Sequence, residues 1–299
     1  QYFAFNKDLE SLKELIDFTI DKHYPEIKNS ENIFLDLIEK LMDKQIDLIV
    51  NWMRVGFIHG VMNTDNTSIT GETFDYGPCA FINTYNPATT YSSIDQNQRY
   101  AFGNQPKMIK WNILRFAESL LPIIHHDKET SLKLAKSIID QFDELWETKY
   151  YGMMLKKIGI KENNKTLYPL IKELLFFMKK NNKDYNNMFY SLSKYHLSTN
   201  EEMNHSEFIK WKKKWRYNLE KKSSIKQAKL LMRKHNPIII PRNHIVEEVI
   251  EKAMSGNIHS FLKYLNIISK PYNMREGLNI FMTPPDKNFE KNFKTHCGT

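Results

Sequence analysis

Residues 54–78 read RVGFIHGVMNTDNTSITGETFDYGP, and the rest of the chain is read outward from them. The stretch gathers His59, Asp65, Asn66, Glu72 and Asp75 into a short span broken by Gly60, Gly71 and Gly77. Apolar residues at helical spacing lie before it and again after it, and a polar, glycine-broken segment between helices is where folds commonly place their chemistry. Asn66 offers an amide oxygen and Asp75 a carboxylate. Both are hard oxygen donors, and a nucleotide-bound Mg2+ takes one or two such protein ligands, with phosphate and water completing its shell. Asp65 adjoins Asn66, so in an extended loop the two side chains diverge, one toward a metal and the other toward an incoming nucleophile.

The same residues can be laid on the catalytic loop of protein kinases, H-R-D-x-x-x-x-N. His59 takes the His position, Gly60 the Arg and Asn66 the metal-binding Asn, while Asp75-Tyr76-Gly77 matches the D-F-G turn with Tyr for Phe. Val61 then stands where the catalytic Asp belongs, and valine cannot take a proton. Asp65 is the carboxylate of this loop that could replace it, so the pattern reads as a kinase-like site with its base moved.

These residues carry a family resemblance. HGVMNTDNTSITGETFDYGP is similar to the signature of the selenoprotein O/YdiU family, the SelO pseudokinases. RYAFGNQPKMIKWNILRFAESLLPII, NPIIIPRNHIVEEVI and the CGT terminus extend the similarity over nearly the whole chain. Proteins of this family have a protein-kinase-like fold but move AMP from ATP to protein hydroxyls. The resemblance implies Asp65 as proton acceptor, Asn66 and Asp75 as ligands of Mg2+ (Mn2+ being the alternative ion), and Asp75 also beside ATP, the co-substrate. It implies acceptor proteins modified on Ser, Thr or Tyr, and no nucleic-acid or membrane partner. The expected fold is mainly α: a helical kinase-like C-lobe with a small β-hairpin at the catalytic loop and family-specific C-terminal helices. Residues 1–125 are expected to form the C-lobe core with the catalytic loop, DYG turn and activation segment, and residues 126–299 a helical extension of the same lobe. No Gly-rich phosphate loop is present, so the chain is expected to be the C-terminal part of such a protein, without its N-lobe, and to grip ATP poorly alone.

Composition narrows the alternatives. The 299 residues, 41% hydrophobic and 26% charged, suit an ordinary globular protein of one large or two small domains. The net charge of +8 would suit an anionic partner, but lysine and asparagine are used heavily throughout, which discounts it. Cys79 and Cys297 make no disulfide framework, so a reducing compartment is expected: cytoplasm, or mitochondrion in a eukaryote. A latch joining these two thiols is conceivable, against which stand two unrelated free thiols. No segment reaches the roughly 18 apolar residues of a membrane helix, and a monomer is expected.

Along the chain, Leu9, Leu12, Leu15, Ile16 and Ile20 predict a helix over 8–23. Ser30 is the expected cap of a second helix whose stripe includes Phe34, Leu37, Ile38, Leu41, Leu48, Ile49 and Trp52. Ser68–Thr70 and Glu72–Phe74 flank Gly71 as arms of a hairpin that would return Asp75 toward Asn66. Residues 79–106 are turn-rich, with Asp95 and Arg99 as a brace and Tyr85, Tyr91 and Tyr100 better read as packing than as substrate contacts. Pro106 opens a helix with Met108, Trp111, Ile113, Leu114, Ala117 and Leu120 on its apolar face, and Asp127 caps the next. The basic run 210–216 is read as an amphipathic helix burying Phe208, Trp211, Trp215 and Leu219, rather than as a nucleic-acid patch. Arg242 is read as a structural ion-pair partner opening a last helix, with irregular chain beyond Pro271. Three functions remain: an AMP transferase, an ordinary phosphotransferase, and a non-catalytic helical binding module.

Overall fold

The apolar stripe of residues 33–55 becomes a single helix of 23 residues, and the elements that hold the loop after it follow from its two ends. The computed structural model describes residues 1–194 and 205–296. The chain is mainly helical, with a small two-stranded antiparallel sheet. It divides into two compact units, each built from separated stretches of sequence.

The first unit comprises Gln1–Val50, Val61–Tyr76 and Asn104–Lys149. It contains α1 (Tyr2–Phe5), α2 (Leu9–His23), α3 (Ile33–Val55) as far as Val50, α4 (Gln105–Ile124), α5 (Lys128–Ile139) and the first part of α6 (Phe142–Lys157). Asp8 caps α2 through Ser11 N–H at 3.1 Å, and Asp127 caps α5 through Thr130 N–H at 2.8 Å. The cap of α3 is Asn32 rather than Ser30, because its side-chain oxygen is the one that reaches the orphan N–H of Leu35, at 3.1 Å. Leu12, Ile16, Ile20, Leu37, Ile38, Leu41, Met108, Ile113, Ala117 and Leu120 are buried as expected. The apolar face of α4 is narrower than its sequence suggests: Trp111 and Leu114 are exposed, and Asn112 between them is buried.

The second unit comprises Asn51–Gly60, Gly77–Gly103 and the chain from Tyr150 onward. Strands β1 (Phe57–Ile58) and β2 (Ala80–Phe81) pair antiparallel, Phe57 opposite Phe81 and Ile58 opposite Ala80. The expected hairpin about Gly71 does not form; the two strands that pair lie before and after residues 61–76 in the sequence. Local chemistry explains this. The Ser68 and Thr70 hydroxyls lie 2.7 Å apart, Thr70 donates to Glu72 at 2.8 Å, and Gln45 and Tyr24 occupy the Ser68 and Ile69 carbonyls. No ladder is left for two arms to share.

Helices α7 (Tyr168–Lys180), α8 (Tyr185–Ser193), α9 (Ser206–Lys222), α10 (Ile225–His235), α11 (Asn243–Met254), α12 (Ile258–Ile268), α13 (Asn279–Met282) and α14 (Lys287–Asn292) complete this unit. The helix opened by Arg242 is therefore not the last one. The 210–216 run behaves as a core helix: Phe208, Trp211, Trp215 and Leu219 are buried, and the two indole N–H groups donate to the Leu170 and Ile158 carbonyls, each at 2.8 Å. Arg242 is buried and pairs with Asp184 at 2.6 Å. No helix among the described residues is long and apolar enough to cross a membrane.

Candidate functional site

Residues 61–76 of the first unit carry Asp65, Asn66 and Asp75. Thr64–Asn66 form a single 3-10 turn, closed by Asn66 N–H to the Asn63 carbonyl at 3.1 Å. Asp65 and Asn66 therefore leave one tight turn rather than the extended loop expected from the sequence. Asp65 is exposed and lines a cleft of about 290 Å3 together with Thr67, Asn112, Arg115 and Phe116. Asn66 is half-buried, and its amide nitrogen donates to the Val61 carbonyl at 3.1 Å. That bond commits the NH2 side of the amide and leaves its oxygen, with two lone pairs, for another partner.

Val61, which the kinase motif laid on the sequence aligns with the catalytic Asp, is 7% exposed and part of the core. His59, in the second unit, is buried and stacked on Trp52 with centroids 5.3 Å apart. Asp75 is exposed with φ +55°, a left-handed conformation that Asp tolerates better than most residues. Tyr76 beside it is also exposed.

The loop is held by side chains that the sequence reading passed over. Asn112 on α4 donates its amide to the Thr67 hydroxyl at 2.7 Å, the Met62 carbonyl at 3.1 Å and the Asn63 carbonyl at 3.4 Å. Gln45 on α3 donates to the Ser68 carbonyl at 2.5 Å, and the Tyr24 hydroxyl donates to the Ile69 carbonyl. Burial pushes the Tyr24 hydroxyl up to about 12, so it stays a donor. Both amides are nearly inaccessible, Gln45 at 1% and Asn112 at 3%. A polar residue set into an otherwise apolar helical stripe was the signal available in the sequence, since burying such a group costs free energy that hydrogen bonds must offset.

In the second unit, Asp95 braces residues 90–100 as expected, but through main chain. It accepts the N–H groups of Arg99 and Tyr100, each at 2.8 Å. Tyr91 packs edge-on against Phe293 at 5.4 Å and Tyr85 stacks on Tyr185 at 5.6 Å, so both serve packing. Cys79 is a half-buried free thiol whose pKa burial raises to about 11, which makes it a poor nucleophile. Cys297, the other half of the conceivable latch, lies outside the described residues.

Among the described residues no three His, Cys, Asp or Glu side chains gather as a metal cluster. The profile of the family described as "Protein adenylyltransferase SelO" matches residues 1–269. The chain is 44% identical over 300 residues to "Protein nucleotidyltransferase YdiU" of Pelagibacter ubique, and 42% identical over 301 residues to the protein of the same name in Bacillus mycoides. In both cases the whole of this chain is covered, and it spans 62% of the relative's length.

Proposed function

The chain belongs to the SelO family, and on that premise we propose that it supplies the catalytic loop of a protein nucleotidyltransferase that moves AMP from ATP to a hydroxyl of an acceptor protein. We take its helical part to be the C-lobe of a kinase-like fold. The observation that carries the reading is the pairing on one rigid turn of an exposed carboxylate, Asp65, with an amide, Asn66, whose nitrogen is already committed to Val61.

In this reading Asp65 accepts the proton of a Ser, Thr or Tyr hydroxyl as its oxygen attacks the α-phosphorus of ATP. The new bond joins that oxygen to phosphorus, the bond to the bridging oxygen of the β-phosphate breaks, and pyrophosphate leaves. Asn66 and Asp75 fit a nucleotide-bound Mg2+ or Mn2+, because both are hard oxygen donors and such an ion takes only one or two ligands from the protein. When bound, that ion would neutralise charge on the phosphates. Asn112, Gln45 and Tyr24 hold the loop so that little reorganisation is needed when substrate arrives.

Buried Val61 leaves an ordinary kinase without its base, which favours AMP over phosphate transfer. Labelling an acceptor protein from α- and γ-labelled ATP tests this with the full-length protein. Label from the α position, lost in Asp75→Ala, is expected. Label from the γ position alone would overturn the proposal.

A further inference from the structure

Two cavities of the second unit, of about 470 and 650 Å3, share Thr84, Asn182, Lys287 and Glu290 in their walls and so form one continuous groove. Its charges are unequally spent. Of its carboxylates, Asp184 is held by Arg242 at 2.6 Å and by Asn187 N–H at 2.7 Å. Glu290 accepts Thr84 N–H at 2.9 Å and the Thr84 hydroxyl at 3.0 Å. The lysines of the groove, Lys183, Lys287, Lys291 and Lys294, have no carboxylate partner among the described residues. Lys287 and Lys291 stand one turn apart on α14, Lys294 follows just beyond its end, and all three are exposed. Binding an anion there would displace no internal partner.

We propose that this groove docks an acidic polypeptide segment. Nucleic acid fits less well. Neither cavity is lined by arginine, and the aromatic residues present are already engaged: Tyr91 is 3% exposed and packs on Phe293, which itself stacks on Phe289 at 5.2 Å. Stacking platforms for bases are therefore missing from these walls. The exposed side-chain amide of Asn182, which has no hydrogen-bond partner among the described residues, can both donate to and accept from a peptide main chain. The binding stands by itself; only its use to recruit the acceptor protein rests on the transferase proposal above.

The experiment measures fluorescence anisotropy of a short labelled poly-glutamate peptide with the full chain, without ATP. The triple variant Lys287→Glu, Lys291→Glu, Lys294→Glu is expected to bind about tenfold more weakly or worse, with an unchanged circular dichroism spectrum. A control with the same charge change on α5, Lys128→Glu, Lys133→Glu, Lys136→Glu, is expected to bind within about twofold of wild type, since none of these lysines lines either cavity. Equal losses in both triples, or none in either, would overturn the proposal, as would poly-uridylate binding through the same lysines more tightly than poly-glutamate. Labelling of an acceptor protein from α-labelled ATP, measured in parallel with the full-length protein, separates the two proposals. Peptide binding without acceptor labelling leaves the docking groove and removes the transferase; acceptor labelling without lysine-dependent peptide binding does the reverse.

Discussion

Asn112 reaches from α4 to Thr67, donating its amide to the threonine hydroxyl at 2.7 Å while the same nitrogen holds the Met62 carbonyl at 3.1 Å. One buried side chain thus fixes both ends of the turn that presents Asp65 and Asn66. Asn112→Ala removes these bonds and leaves buried carbonyls unpaired, at a cost of about 1–3 kcal/mol. Denaturant unfolding should show that loss. If Asn112 positions the loop, nucleotidyl transfer at temperatures where the variant is fully folded should fall in kcat more than KM rises.

Asp65 is exposed, so its removal should separate chemistry from folding. Asp65→Asn is expected to keep the wild-type melting temperature and to lose about 100-fold or more of any α-phosphate transfer. An unchanged rate would remove Asp65 from the reaction.

Gly60 has φ +92°, and a Cβ placed on it would lie 2.4 Å from the Pro78 carbonyl oxygen. Neither the backbone conformation nor the space admits a side chain. Gly60→Ala should destabilise the protein by about 2 kcal/mol or more, read as a lowered urea midpoint.

Lys157 is fully buried, donating to the Arg54 carbonyl at 2.5 Å with its Nζ 4.2 Å from the Phe189 ring centroid. Burial, and secondarily the Arg54 charge, hold its pKa well below the ordinary 10.5. The unfolded chain then binds a proton that the folded one gives up, so stability should rise with pH between the lowered value and about 10. Above about 10 the buried Tyr150 and Tyr185 hydroxyls, held up by burial, reverse the trend. Lys157→Met should flatten the rising limb, as measured by denaturant unfolding across that pH range.

Arg242 donates to Asp184, Asn83 and the Met282 carbonyl from a fully buried position. Burial outweighs the attraction of Arg242 and raises the Asp184 pKa above the ordinary carboxylate range, so the pair is costly to desolvate and costlier to break. Arg242→Ala should destabilise by about 3–5 kcal/mol. Arg242→Ala with Asp184→Asn should recover part of that, since no uncompensated charge is left.

Much of the fold was legible because periodicity reports burial directly. The stripe of α3 and the aromatic face of α9 were both read correctly from spacing. The hairpin about Gly71 was not, because short polar residues there bond to one another and to α2 and α3 instead of forming a ladder. Helix α12 went unseen, and the exposure of Trp111 and Leu114 contradicts their apolar character, since hydrophobic residues on a surface carry no local signal.

The amino-acid order alone determines which side chains of the loop carry carboxylate or amide oxygens, and that valine falls at the Asp of the kinase motif laid on it, because those facts depend on side-chain identity and spacing. Only the folded chain decides that Asp65 is open to a cleft, that Asn66 spends its nitrogen on Val61, and that Asn112 and Gln45 secure the turn. Those bonds join residues far apart in sequence, and a buried amide chooses its partner by what tertiary packing brings within about 3 Å.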